Sequence, residues 1–206
     1  MRKGGSSGRW RERQRRDPYV KRRKEAGLRS RAAFKLEQLC TDEKLLQPGA
    51  RVIDLGAAPG GWAQLAATRA GRHGTVIAVD ILKIQEIPGA TLIQGDCCSE
   101  RVFNEVEAAL DGHRADLVMS DMAPNITGVA VRDEAAHEEL VEMTLRYVDQ
   151  FLKPGGALLT KLFQYGDTER LIESIRERFA EVSRRKPDAS RSGSREFYVV
   201  AKRFGI

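Results

Sequence analysis

The chain has 206 residues, 41% of them hydrophobic and 31% charged, with a formal net charge of +6. That length suits one α/β domain with a full core and excludes two such domains plus a sizeable tail. Apolar runs are strand-length, well below the roughly 20 residues that span a bilayer, so no membrane passage is expected and the protein is expected in the cytoplasm.

The charge is unevenly spread. Residues 1–31 hold 13 Lys/Arg against Glu12, Asp17 and Glu25, a local balance of +10 that leaves the remaining 175 residues at −4. Through about Lys24 this segment is Gly, Ser and Arg with little apolar periodicity, too polar to offset its ordering entropy. It is expected to be a disordered arm, residues 1–28, that neutralises phosphates. Trp10 and Tyr19, set among the arginines, are suited to stacking on bases. Residues 29–206 are expected to form the single folded domain.

Ser30 can cap a helix running through Phe34, Leu36 and Leu39 to about Leu46, stopped by Pro48-Gly49; Lys35 lies on it. Strand candidates follow at 51–55, 75–79, 91–94, 116–120, 157–162 and 197–202, with helical stretches in most of the gaps. Leu140, Val141, Leu145, Val148, Phe151 and Leu152 form a helical stripe from about Glu134, ended by Pro154-Gly155-Gly156. A second stripe uses Leu171, Ile172, Ile175 and Phe179. The segments near 181–186 and 196–202 have no helix-sized spacer and are expected to pair as an antiparallel hairpin at a sheet edge. The whole predicts a Rossmann-like, doubly wound α/β fold with its ligands at the carboxyl ends of the strands.

The run from Asp54 to Trp62, Asp-Leu-Gly-Ala-Ala-Pro-Gly-Gly-Trp, follows the first core strand and opens a helix. Glycines there allow close backbone approach, and free N–H groups at the helix start can meet a carboxylate, such as that of S-adenosylmethionine. The G-x-G-x-x-G spacing of a dinucleotide site is absent, which disfavours NAD. Asp80, 26 residues after Asp54, ends the second strand, where a carboxylate can accept ribose hydroxyls; Asp96, after the third, can contact an adenine amino group. Taken singly, such aspartates are more often turn formers. The candidate cofactor contacts are Asp54, Gly56, Gly60, Gly61, Trp62, Asp80, Asp96 and Asp121.

Arg-Ser-Arg-Ala-Ala-Phe-Lys-Leu at 29–36, the 54–62 loop, Ser-Asp-Met-Ala-Pro-Asn at 120–125, Lys161-Leu-Phe-Gln164, Arg-Lys-Pro-Asp-Ala-Ser-Arg at 185–191 and Ser194-Arg-Glu196 resemble the FtsJ/RrmJ (RlmE) family of RNA ribose 2′-O-methyltransferases, over about residues 29–202. The resemblance implies a class I S-adenosylmethionine-dependent methyltransferase fold with a seven-stranded sheet. It also implies a catalytic tetrad of Lys35, Asp121, Lys161 and Glu196 with Lys161 as proton acceptor. The substrate it implies is a uridine in the A-loop of 23S rRNA on the large ribosomal subunit. A transfer RNA or organellar ribosomal RNA substrate is the alternative, as is a non-catalytic, RNA-binding assembly factor. In one place the chain departs from the family: Tyr165 stands between Gln164 and Gly166, where a glycine usually follows the glutamine directly.

Lys161 must be neutral to act as a base; kept charged, it would instead stabilise the developing alkoxide. Amino methylation fits less well, because no aromatic follows the fourth strand to clamp a flipped base. Carbon-5 methylation needs a cysteine nucleophile, and Cys97 and Cys98 directly follow a candidate cofactor contact. Neither Cys40, Cys97 and Cys98 nor His73, His113 and His137 show disulfide or metal-ligand spacing, so no metal is expected. Basic residues outside the arm gather at Arg184, Arg185, Lys186, Arg191 and Arg195 and are expected to meet phosphates. The protein is expected to act as a monomer.

Overall fold

The computed structural model describes residues 29–30, 32–166, 168–190 and 193–205. The expected arm, with Trp10 and Tyr19, and Arg191 of the basic cluster lie outside the described residues.

Seven strands form one sheet: β1 (Arg51–Leu55), β2 (Thr75–Asp80), β3 (Ala90–Gln94), β4 (Ala115–Ser120), β5 (Leu152–Phe163), β6 (Phe179–Arg185) and β7 (Glu196–Phe204). Their order is β3-β2-β1-β4-β5-β7-β6. The first five are parallel, and β7 runs antiparallel to both β5 and β6. The terminal hairpin therefore lies at one edge, as its missing spacer helix predicts.

Among the described residues five α-helices cover the sheet: α1 (Ala32–Glu43), α2 (Gly61–Ala70), α3 (Glu100–Leu110), α4 (Ala130–Phe151) and α5 (Thr168–Arg176). Strand alternation divides the core into two layers. Val52, Leu117, Leu159 and Val200 pack with Leu36 and Leu39 of α1 and Ala63 and Ala66 of α2. Ile53, Val118, Leu158 and Val199 pack with α3, α4 and α5 on the opposite face. Both faces are thus apolar, the condition that keeps a parallel sheet buried.

Three boundaries differ from their sequence signals. Helix α1 ends at Glu43, well before Pro48, because Lys44 takes a left-handed φ of 54° and the Leu45 amide donates to the Cys40 carbonyl at 3.3 Å. Strand β5 begins at Leu152, ahead of Pro154-Gly155-Gly156. Leu152 pairs with Ala115 and the register resumes at Leu117 with Ala157, so the Pro-Gly-Gly forms an irregularity within the strand and does not precede it. Helix α4 also starts earlier than its apolar stripe, at Ala130, where Asp133 in its first turn accepts from the Thr127 and Gly128 amides at 2.8 and 3.1 Å.

Candidate active site

The order β4-β5-β7 brings four sequence-distant residues together. Ser120 pairs with Thr160, which sets Asp121, just beyond β4, beside Lys161. Lys161 pairs with Tyr198 and Phe163 with Glu196 across β5 and β7, and direct cross-strand partners share a face. Lys35 arrives over that face on α1, held down by Leu36, Leu39 and Cys40.

Polar contacts close the group into a network. Lys35 Nζ donates to Glu196 Oε1 and, at 3.2 Å, to the Tyr198 hydroxyl. That hydroxyl donates in turn to Asp121 Oδ1 at 2.7 Å. Lys161 Nζ donates to the Asp121 carbonyl and stands 3.1 Å from the Asp121 carboxylate. The lysine side chains are only 10% and 8% exposed, so two amines and two carboxyls are interlocked in a largely dry setting. Burial alone would raise the Glu196 carboxyl, but the hydrogen bond and charge of Lys35, with Lys161 behind it, hold it below its ordinary range.

Tyr198 is the member that sequence reasoning missed. It is fully buried and bridges Lys35 to Asp121. Its position two residues after Glu196, on the same face of β7, was the available signal.

A second feature adjoins the tetrad. Asp54 is 0% exposed, and neither of its carboxylate oxygens has a hydrogen-bond partner among the described residues. Burial, then the charges of Asp121 and Asp80, push its carboxyl well above the usual range, with the Ala63 amide opposing. An orphaned acid beside two further carboxylates fits a cationic ligand, and the ammonium and sulfonium of S-adenosylmethionine have that chemistry.

The glycines of the 54–62 loop also have a packing role. A Cβ at Gly56 would stand 2.2 Å from Met122 Cγ, and one at Gly61 2.1 Å from Ser30 Oγ. Neighbouring side chains, not open ligand space, occupy those positions. Gly60 adopts φ 102° at the start of α2, a conformation side chains rarely take. The Trp62 side chain is also buried; its Nε1 donates to the Ala32 carbonyl at 2.8 Å and so ties α1 to α2. Only its backbone amide, in the first turn of α2, is left for a ligand.

Asp80 and Asp96 have local turn contacts. Asp80 accepts from the Ala58 and Leu82 amides, both at 2.8 Å, and Asp96 from the Cys98 amide at 2.8 Å. Each oxygen keeps a second lone pair. Asp96, Cys97 and Cys98 offer ligand atoms within 4.8 Å of one another, but burial, reinforced by Cys98 and Asp96, pushes the Cys97 thiol up to about 12.

The basic cluster is partly consumed inside the protein. Arg184 pairs with Glu169, Arg185 with Glu43 at 2.6 Å, and Lys186 donates to the Ser194 carbonyl at 2.9 Å. Arg195 is exposed.

Residues 28–204 match the FtsJ-like methyltransferase family. The chain belongs to that family. A ribosomal RNA large subunit methyltransferase E from Marinobacter nauticus is 46% identical over the full length of both chains. One from Granulibacter bethesdensis is 48% identical over 97% of this chain and 85% of its own. A solved structure described as a ribosomal RNA methyltransferase from Plasmodium falciparum superposes with a TM-score of 0.77 at 27% identity, covering 85% of this chain and 98% of that one. The protein is accordingly a methyltransferase with a Rossmann-like, doubly wound sheet. No helix among the described residues is long and apolar enough to cross a membrane.

Proposed function

We propose that the protein methylates a ribose 2′-hydroxyl of RNA with S-adenosylmethionine, its substrate being a uridine in the A-loop of 23S rRNA within the large ribosomal subunit, and that it works in the cytoplasm as a monomer. The observation that carries this reading is the pair of lysines and pair of carboxylates interlocked through Tyr198 at the ends of β4 and β5, next to the orphaned Asp54. Relatives named as methyltransferases of the large ribosomal subunit support the substrate.

S-adenosylmethionine, when bound, supplies an electrophilic methyl on a sulfonium. Asp54 would hold its ammonium end, Asp80 its ribose and Asp96 its adenine amino group, and the loop amides at the start of α2 would meet its carboxylate. Asp121 lies between this cofactor side and Lys161.

The remaining task is to orient a weakly acidic hydroxyl and take up its proton. Lys161 acts as acceptor in its neutral form. Lys35 and Glu196 form a fixed pair that orients the ribose, and Asp121 steers Lys161 through both its carbonyl and its carboxylate.

The test is tritiated methyl transfer into large subunits prepared without the modification, mapped by reverse transcription. Lys161→Ala is expected to lose on the order of 10²–10⁴ in rate and the pH dependence of the wild type while keeping cofactor affinity. An unchanged pH profile in the variant would overturn the base role, and no incorporation by the wild type would overturn the function.

A further inference from the structure

A cavity of about 610 Å³ opens beside the tetrad, between the segment after β4, the first turn of α4 and the ends of β5 and β7. Ile126, Gly128, Phe163, Tyr165, Ser194 and Arg195 border it. Two of its lining residues adjoin the tetrad: Lys161 Nζ lies 5.7 Å from the Phe163 ring centre, and Glu196 directly follows Arg195.

Its walls are fixed by contacts the tetrad does not need. His137, buried in α4, accepts from the Phe163 amide at 3.3 Å, and its ring stands 5.7 Å from Phe163 and 5.6 Å from Tyr165. The Tyr165 amide donates to Thr168 Oγ1 at 2.8 Å, and the Gln164 amide donates to the Arg195 carbonyl at 3.0 Å. On the opposite rim Asp133 holds Thr127 and Gly128. A preformed hollow needs little ordering when a ligand enters.

The lining selects a flat ligand. Two aromatic rings and Ile126, 66% exposed, supply apolar faces, while Glu134 and Gln164 can meet ring N–H and carbonyl groups and Arg195 stands exposed at the rim for an anion. A nucleobase joined to phosphate has that combination of chemistry. A base is joined to the ribose that carries its 2′-oxygen, so a pocket for it must adjoin Lys161, as Phe163 does.

We propose that this cavity receives the base of the nucleotide whose ribose is methylated, stacked on Tyr165, with Arg195 on an adjoining phosphate. The inference rests on the ribose-methylating reading above. Tyr165 then serves as a determinant of substrate binding set between Gln164 and Gly166, remote from the proton transfer itself.

The test measures steady-state methylation of unmodified large subunits, equilibrium binding of a protein-free 23S rRNA transcript, and calorimetric affinity for S-adenosylmethionine. Tyr165→Ala is expected to raise KM for subunits roughly 5- to 150-fold, the range for loss of one base-stacking ring. It should weaken transcript binding as well, with kcat and cofactor affinity little changed. Tyr165→Phe, which keeps the ring, should restore the wild-type KM and shows that any loss in Tyr165→Ala is not misfolding. An unchanged KM in Tyr165→Ala, with an active wild type, overturns the cavity assignment alone. A raised KM with unchanged transcript binding means that a ribosomal protein fills the cavity and also overturns it. A wild type inactive on subunits overturns the ribose-methylating reading and this inference with it.

Discussion

At the scale of single residues, Asp54 and Glu196 are opposite cases of one rule. Both are acids withdrawn from water; Glu196 has Lys35 to compensate and titrates below its ordinary range, whereas at Asp54 burial and the charges of two further carboxylates outweigh the Ala63 amide and it titrates above that range. Their contributions to stability therefore have opposite signs. For Glu196 stability is present above the unfolded-state pKa and is lost as pH falls through the lower folded value. For Asp54 the folded protein holds the proton longer than the unfolded chain does, so its contribution declines as pH rises from about 4 toward the raised folded value. Asp54→Asn removes that penalty and, on the proposed function, also the counter-charge for a cationic cofactor. The variant is expected to melt a few degrees higher than the wild type without cofactor at neutral pH, at roughly 2–4 °C per kcal/mol relieved. It should bind S-adenosylmethionine about 10- to 150-fold more weakly, the range for losing one charged hydrogen bond. Scanning calorimetry with and without cofactor checks both, and a lower melting temperature in the cofactor-free variant would contradict the assignment of Asp54 as a strained acid.

At the scale of elements, the catalytic geometry depends on how α1 sits on the sheet. Lys35 reaches Glu196 and Tyr198 only because Leu36, its neighbour in sequence, is fully buried against the layer formed by Val52, Leu159 and Val200. Leu36→Ala is expected to cost about 2–5 kcal/mol in urea unfolding and to lower the rate of methyl transfer through displacement of Lys35, with the loss of rate persisting at temperatures where the variant is fully folded. The inner strands were legible because short, continuously buried runs such as Val52-Ile53-Asp54-Leu55 mark a parallel sheet covered on both faces. The end of α1 was not, since Lys44 adopts a left-handed conformation for which the sequence offers no glycine. Neither was the start of β5, because Pro154-Gly155-Gly156 reads as a break yet is absorbed as an irregularity once Leu152 finds Ala115. Tyr198 shows the wider reason. A buried aromatic on a strand reads as core, and only the β4-β5-β7 order turns its hydroxyl into the bridge between Lys35 and Asp121. The packing constraint on the loop glycines was not legible, because Met122 and Ser30 are distant in sequence from the residues they constrain.

At the scale of the whole molecule, the uneven charge acquires a sharper meaning from the hairpin. Arg184 and Arg185 are paired with Glu169 and Glu43, and Lys186 is bonded to a backbone carbonyl, so less of the folded domain's positive charge is directed outward than the sequence cluster suggests. On the proposed RNA-methylating reading, phosphate neutralisation is then expected to fall chiefly to residues 1–24, which carry eleven of the 35 Lys/Arg against Glu12 and Asp17. Neutralising a phosphate releases counterions, and the logarithm of affinity falls with the logarithm of salt by about 0.7 per phosphate on single-stranded nucleic acid. Removal of residues 1–24 is accordingly expected to weaken binding of a 23S rRNA transcript at physiological salt and to make the salt dependence shallower by that amount for each phosphate the arm no longer neutralises. Affinity for S-adenosylmethionine should stay the same, since Asp54, Asp80 and Asp96 all lie in the folded domain. Tyr165→Ala, by contrast, should lower transcript affinity without altering the salt slope, because a stacking ring displaces no counterions. Titrations of both variants across a salt series separate the two contributions. Equal transcript affinity for the truncated and full-length chains would mean that the domain's own exposed cations, Arg195 among them, hold the RNA unaided.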